Sequence, residues 1–326
     1  MERGAWDYVA GGADDERALR DNLAAFSRLR LRPRVLRDVS TRDLGTSAFG
    51  RELAHPIVVA PMAAHALADP EAECATARGA ASAEALNTLS TISSRSLEEV
   101  ATVAPDAPRW FQLYTSGDRS LTQRLVERAV AAGYGAIVVT VDLPLAGNRE
   151  RDLRNGFVLP LGAHLPEEQP VDEHGVPILT TMDWDALAWL REVCPVPLVV
   201  KGILRVDDAL RATELGCDGV WVSNHGGRQL EDAIPGIEAL PEIAAAIGGR
   251  ALLVVDGGVR RGTDVLKALA LGANLVAVGR PIFWGLAAGG ADGVQHVLEI
   301  ARAELSHAMA LAGCRTLEEI GADLIA

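Results

Sequence analysis

The sequence has no CxxC pair, no signal-peptide pattern, no membrane-length apolar run and no excess of basic charge. Its four cysteines, Cys74, Cys194, Cys217 and Cys314, lie far apart in apolar or helical contexts, which reads as buried thiols of a reducing compartment rather than a disulfide frame. Met1 to Asp7 lack the basic and apolar blocks of a signal peptide, and the most apolar region, Val265 to Gly290, is broken by Lys267, Arg280, Pro281 and several glycines. A cytoplasmic protein without membrane contact is therefore expected. With 31 basic residues against 44 acidic ones, the net charge of −13 argues against non-specific binding to nucleic acid. Arginines must then serve local anions. No dinucleotide-type GxGxxG follows the first apolar run, and no repeat or low-complexity linker divides the chain.

What is present is a regular alternation. The 326 residues, 49% of them hydrophobic, are enough for one α/β barrel of about 250 residues or more. Eight short β-branched apolar runs alternate with amphipathic stretches: Ile57 to Ala60, Asn87 to Ser90, Trp110 to Tyr114, Ala136 to Val141, Pro197 to Lys201, Gly219 to Ser223, Ala251 to Asp256 and Asn274 to Gly279. That pattern belongs to parallel βα units and predicts a (β/α)8 TIM barrel. Helices are expected over Arg119 to Ala132, Trp184 to Cys194, Val206 to Leu215, Ile237 to Ile247, Thr263 to Leu271 and Asp292 to Ala312, several of them stopped by Gly133, Gly216, Gly248 or Gly272 at C′. One domain spanning 1–326 is expected, with an irregular N-terminal cap over 1–55, the barrel from 56 onward and a polar loop over 158–183.

Catalytic groups of such a barrel stand at the C-terminal ends of its strands. After the sixth run, Ser223-Asn224-His225-Gly226-Gly227-Arg228-Gln229 sends a proton acceptor, His225, and an anion binder, Arg228, out of a glycine turn. Strand alternation points Gln112 and Tyr114 to one face and Phe111 and Leu113 to the other. It also places Thr140 and Asp142 together, with Asp142 suited to hold an imidazole in one tautomer. Lys201 emerges after Pro-Leu-Val-Val, where an unpartnered ammonium would be costly to bury. After the last two runs, Gly257, Gly258, Arg260, Gly279 and Arg280, with Thr263 opening a helix, make a phosphate cradle. Of the other histidines, His65 is read as packed or hydrogen-bonded near the cavity. His55, His164, His174, His296 and His307 have no partner motif, so no metal is expected.

These residues resemble the FMN-dependent 2-hydroxy acid oxidases and dehydrogenases, the family that includes the glycolate, lactate and hydroxymandelate oxidases. The likeness covers nearly the whole chain and rests on SNHGGRQ at 223–229, DGGVRRG at 256–262, WFQLY at 110–114, the TVD ending at Asp142, GNRERD at 147–152 and APMAAHALADPE at 60–71. It implies FMN as cofactor and the oxidation of an (S)-2-hydroxy acid to the 2-oxo acid, with His225 as base, Asp142 as its partner, and Arg149 and Arg228 on the substrate carboxylate. Tyr8 and Tyr114 would touch the substrate, and Ala60, Met62, Ala63, Ser90, Gln112, Thr140, Lys201 and Ser223 the flavin ring and ribityl chain. Asp256, Gly258, Arg260, Gly279 and Arg280 would surround the phosphate end. A homotetramer is implied as well, and O2 as the final acceptor, since the apolar insertion of the membrane-bound dehydrogenases is missing.

The chain departs from the family pattern at three places. Tyr8 follows only seven residues, without the usual leading helix, so weak anchoring is expected. The 158–183 loop is shorter than in glycolate or lactate oxidase, and Ile92 stands where glycolate oxidase has tryptophan. Together these predict an open site that accepts bulky acids such as mandelates. The residues also leave open a dehydrogenase with another electron acceptor, a barrel aldolase or isomerase using Lys201 as a Schiff base, and a flavin binder without catalysis.

Overall fold

The computed structural model describes residues 1–115, 118–164 and 182–326. Most of the 158–183 loop lies outside the described residues. Eight parallel strands close on themselves: β3 (Ile57–Val59), β4 (Asn87–Ser90), β5 (Arg109–Leu113), β6 (Ile137–Thr140), β7 (Leu198–Ile203), β8 (Gly219–Val222), β9 (Leu252–Val255) and β10 (Leu275–Val278), with β10 returning to pair with β3. The predicted TIM barrel is present, and every expected run became a strand within about two residues at either end.

The period-2 pattern explains why the barrel closes around an apolar centre. Val58, Trp110, Val138, Val199, Trp221, Val254 and Leu275 fill the interior. Their neighbours Ile57, Phe111, Leu113, Ile137, Val139, Val200, Val222 and Val255 face the helices. Each such side chain stabilises the fold by roughly 1.5–3 kcal/mol when buried. The helical ring contains α3 (Glu73–Ser82), α4 (Leu97–Val103), α5 (Arg119–Ala131), α6 (Glu150–Asn155), α7 (Trp184–Val193), α8 (Val206–Glu214), α9 (Gly236–Ile247), α10 (Gly262–Ala270) and α11 (Arg280–Ala312). The last runs further back than the expected Asp292 to Ala312, because a kink at Gly289 and Gly290 joins a first helical piece to the long one. Close packing of α3 on α11 depends on Gly79, where a Cβ would lie 2.3 Å from the Ala291 carbonyl oxygen.

The N-terminal 55 residues are more ordered than the irregular cap expected. They hold α1 (Arg3–Ala10), α2 (Arg17–Arg28) and a hairpin of β1 (Thr46–Ala48) and β2 (Arg51–Leu53). The hairpin turns through Phe49 and Gly50, both at positive φ, as a two-residue loop of the primed type requires. It closes one end of the barrel, with Ala48 and Leu53 in the interior cluster and Phe49 5.5 Å from Trp110. The helices α1 and α2 lie instead against the catalytic face.

Candidate active site

The strand ends and the loop after β8 enclose one deep cavity of about 1070 Å³, its open mouth included. Its walls bring together residues from all eight strand ends and from α1, including Tyr8, Ala60, Met62, Ser90, Gln112, Tyr114, Thr140, Arg149, Lys201, His225, Arg228, Arg260 and Arg280. Of the sequence-predicted site residues, Ala63, Asp256, Gly258 and Gly279 line it too. Asp142 and Ser223 stand behind the wall, each bonded to a residue that lines it.

His225 leaves β8 with φ 57, a left-handed conformation rare outside glycine and often found where a fold holds a functional group in strain. Its backbone N–H donates to Ser223 Oγ at 3.0 Å. Its Nδ1 lies 2.9 Å from Asp142 Oδ1. Burial holds the imidazole below its ordinary pKa although Asp142 pulls it upward. For Asp142, burial raises the pKa, but the interaction with His225, with the Lys201 ammonium beside it, outweighs that and keeps the carboxyl low. The pair is therefore a neutral imidazole beside a carboxylate, with the proton on Nδ1 and the bare Nε2 available to the cavity. Gln229 supports this arrangement by donating to the carbonyls of Asp142 and Leu145 at 2.8 and 2.9 Å while accepting from Gly147 N–H.

Two guanidiniums approach the base from the cap side. Arg228 lies 4.6 Å and Arg149 5.8 Å from the centre of the Tyr8 ring. Burial, with Arg149 adding repulsion, lowers the Arg228 pKa to about 10. Arg228 Nη2, Arg149 Nε and Asp142 Oδ2 are buried without a hydrogen-bond partner among the described residues. Buried donors in that state are poised for an anion. Tyr8 is not loosely held: it is buried on α1, packed 5.1 Å from Phe157, and its carbonyl accepts from Arg228. The expectation of weak anchoring is corrected, because α1 closes over the site and its last carbonyls are tied to arginines. Tyr114 is buried opposite, its phenol pushed up by desolvation and then by the Asp142 charge.

Deeper in the cavity the polar groups are already arranged. Gln112 Oε1 accepts from Ser90 Oγ at 3.1 Å, and its Nε2 donates to Thr140 Oγ1 at 3.0 Å. Lys201 donates to Ser223 Oγ at 3.1 Å and pairs with Asp256 Oδ2 at 3.4 Å. Asp256 also accepts from Ser223 and from Trp221 Nε1. Its carboxylate thus neutralises the buried lysine, a pairing the sequence did not show. Lys201 is one of only two lysines in the chain.

At the far end lie Gly257, Gly258, Gly279, Arg260 and Arg280. Among the described residues no protein acceptor takes the backbone N–H of Gly257, Gly258, Gly279 or Arg280. Burial lowers the Arg260 pKa, and burial followed by repulsion from Arg228 and Arg260 brings Arg280 down to about 9. Several N–H groups and two desolvated cations without a matching acid describe an anion site. Arg280 spends donors on the carbonyls of Val9, Gly226 and Gly11, so it also locks the cap to the barrel. The N-terminus of α10, expected to face the phosphate, is occupied: Asp264 accepts from the N–H groups of Arg260 and Arg261, Glu304 from Gly262. Thr263 is exposed.

This geometry has known counterparts. A family model described as FMN-dependent dehydrogenase matches residues 1–326. The chain belongs to that family. It is 51% identical to an L-lactate oxidase of Nostoc sp. over 97% of this chain and 92% of the relative. It is 45% identical to the human 2-hydroxyacid oxidase 1 over 100% of this chain and 92% of the relative. Among solved structures, a mandelate oxidase with (S)-2-phenylpropionate superposes with a TM-score of 0.90 at 45% identity, covering 100% of this chain and 94% of the other.

FMN is the family's cofactor, and the cavity suits it. The unpartnered amides and desolvated arginines at the β9 and β10 ends accommodate a phosphate. Ala60, Met62 and Ala63 offer an apolar face for a ring system, and Gln112, Thr140 and Lys201 offer polar contacts at its edge.

Sequence reasoning missed the pair Asn22 and Asn224, which bond each other twice at 2.9 Å. No local signal marks it, because the partner of the loop residue sits in α2, 202 positions away. It also missed Leu143 and Leu159, which line the cavity from connecting segments, and Phe283, which lines it from the start of α11. His65 is where it was expected, packed on Phe283 and bonded to Thr76 rather than lining the cavity. No helix among the described residues is long and apolar enough to cross a membrane.

Proposed function

We propose that this protein oxidises an (S)-2-hydroxy acid to the 2-oxo acid, with O2 as final acceptor and hydrogen peroxide as second product. The observation that carries the reading is the bare Nε2 of His225, backed by Asp142 and facing two guanidiniums with unpartnered donors. Arg149 and Arg228 hold the substrate carboxylate, and Tyr8 and Tyr114 fix its hydroxyl and carboxyl end. That orientation puts the C2 carbon and its hydroxyl at His225. His225 takes up a substrate proton at Nε2, and Asp142 stabilises the imidazolium that results. FMN, when bound, supplies the acceptor for the two electrons removed. Lys201, Gln112, Thr140, Ser90 and Ser223 orient its ring and side chain, with Lys201 offsetting negative charge at the ring edge. Gly258, Arg260, Gly279 and Arg280 hold its phosphate.

Ile92, Leu143 and Leu159 line the cavity on the substrate side and suit an acid with an apolar side chain, mandelate among them. Lactate and mandelate are the substrates in the names of relatives at 51% and 45% identity, which supports the 2-hydroxy acid class. A homotetramer fits the family resemblance and is testable by light scattering; cell fractionation tests the proposed cytoplasmic location.

Anaerobic absorbance of the FMN protein, followed with glycolate, lactate and mandelate, tests the activity. Bleaching by at least one is expected, and His225→Ala should slow it by about 10²–10⁴-fold with FMN retained. Undiminished bleaching in that variant removes His225 from the mechanism. Turnover with a dye acceptor but without peroxide under air would make the protein a dehydrogenase.

A further inference from the structure

From Leu159 to His164 the chain runs as a strap across the loop that follows β4. Ala163 N–H donates to the Ser93 carbonyl at 2.8 Å. His164, only 4% exposed, places Nδ1 3.0 Å from the Thr91 carbonyl and 3.3 Å from Ser93 Oγ. Its Nε2 lies 2.8 Å from the backbone N of Leu97, the first residue of α4. Because an amide only donates, Nε2 accepts and the ring proton sits on Nδ1, aimed at Thr91. The ring edge meets Phe111 at 5.5 Å. Between these anchors Gly162 presses on the same loop, since a Cβ there would stand 2.7 Å from Ile92 Cα and 2.9 Å from the Thr91 oxygen.

Both segments end in cavity residues. Leu159 and Ile92 line the wall together, each at 4% exposure. No contact assigned above to FMN or to the substrate carboxylate runs through His164. Glu73 holds the loop from its other side, accepting from the N–H groups of Ser94 and Arg95 and from His65 on the β3 loop. With that side pinned, the strap decides where Leu159 lies relative to Ile92.

We propose that His164 is a positioning residue for substrate selectivity: it latches the 159–164 strap to the 91–97 segment and so sets Leu159 and Ile92 as one wall against the part of the substrate beyond C2. The inference rests on the 2-hydroxy acid reading and names which residues choose among such acids. Glycolate has no carbon beyond C2 and should not sense the wall. A long or aromatic acid should.

The test compares wild-type and His164→Ala holoenzymes with glycolate and with the largest 2-hydroxy acid that the wild type oxidises. The variant should lose about tenfold or more in kcat/KM for the large acid, mostly through KM, with glycolate changed by less than about threefold and FMN content unaltered. Equal loss on both acids, or no loss on either, overturns the proposal. Hydrogen exchange supplies an arm that needs no turnover. Loss of His164 should release the amides of Ala163 and Leu97 together, and retained protection of both overturns the latch. A wild type that oxidises no 2-hydroxy acid would sink the functional reading instead, leaving the exchange arm to decide the latch. Gly162→Ala pushes the strap away from Ile92 by adding an atom rather than removing a ring. Should His164→Ala not fold, an unchanged selectivity ratio in Gly162→Ala refutes the proposal.

Discussion

His225 sits in a left-handed backbone conformation, loses most of its water and keeps one acid at Nδ1. Each feature bears on when it works as a base. Since burial lowers its pKa, the unprotonated form persists to a pH below the ordinary imidazole value of about 6.5. The pH profile of kcat/KM should therefore be level at neutrality and fall only as pH drops through that lowered pKa. An acid limb centred above about 7 would contradict a lowered pKa at His225. Asp142→Asn offers no carboxylate to the imidazolium and no fixed acceptor for Nδ1–H. It should slow flavin bleaching by on the order of 10²–10⁴-fold with FMN still bound, measured by stopped-flow absorbance. Bleaching within threefold or so of wild type would show that Asp142 serves packing only. At this scale the sequence was most readable, because Gln112, Asp142, Lys201, His225 and Arg228 sit at strand ends or in a glycine turn where residue type alone implies exposure to a cavity. The pairing of Asp256 with Lys201 was not legible, since the two lie two strands apart.

The helix α2 packs closely against the glycine loops after β8 and β9. A Cβ on Gly258 would stand 2.0 Å from the Asn22 carbonyl oxygen, and Gly258 has φ +84. Gly258→Ala should push α2 off the loop, lowering FMN content and the melting temperature together. Gly249, at φ +80 with nothing within 4 Å of a Cβ, provides the comparison. Gly249→Ala should lose only about 1–3 kcal/mol of stability from backbone strain and keep its FMN. Full FMN loading of Gly258→Ala would refute the role given to α2. The strands were legible because short runs of β-branched residues with a period of two fit a pleated strand and do not fit the 3.6-residue turn of a helix. The cap was not. The buried residues of α2 are Ala18, Asn22, Ala25 and Phe26, a face too small and too polar to stand out. The β1 and β2 strands are three residues each.

The molecule as a whole carries several histidines that folding keeps neutral. Burial lowers the pKa of His55, His65 and His164 as it does that of His225. The unfolded chain binds protons at these sites near the ordinary imidazole value of about 6.5, while the folded chain resists them. Their contribution to stability is therefore complete above about 6.5 and is lost as pH falls from there toward the lowered folded values. Thermal melts between about pH 5 and 8 should show the melting temperature falling on the acid side. His164→Gln should flatten part of that slope, and a melting temperature independent of pH in this window would contradict the assignment of neutral buried rings.

By itself the sequence determined the barrel and its eight strands, which are written in local alternation; it marked the candidate base and arginines through glycine turns and strand-end residue types, and FMN through the family resemblance. The tertiary structure alone decided that α1 closes over the site, that Asp256 serves Lys201, that the α10 N-terminus is taken by Asp264 and Glu304, and that His164 joins the strap to the Ile92 loop. Each of these is a pairing between distant segments, and a hydrogen bond needs two partners within about 3 Å, a condition that spacing along a chain does not encode.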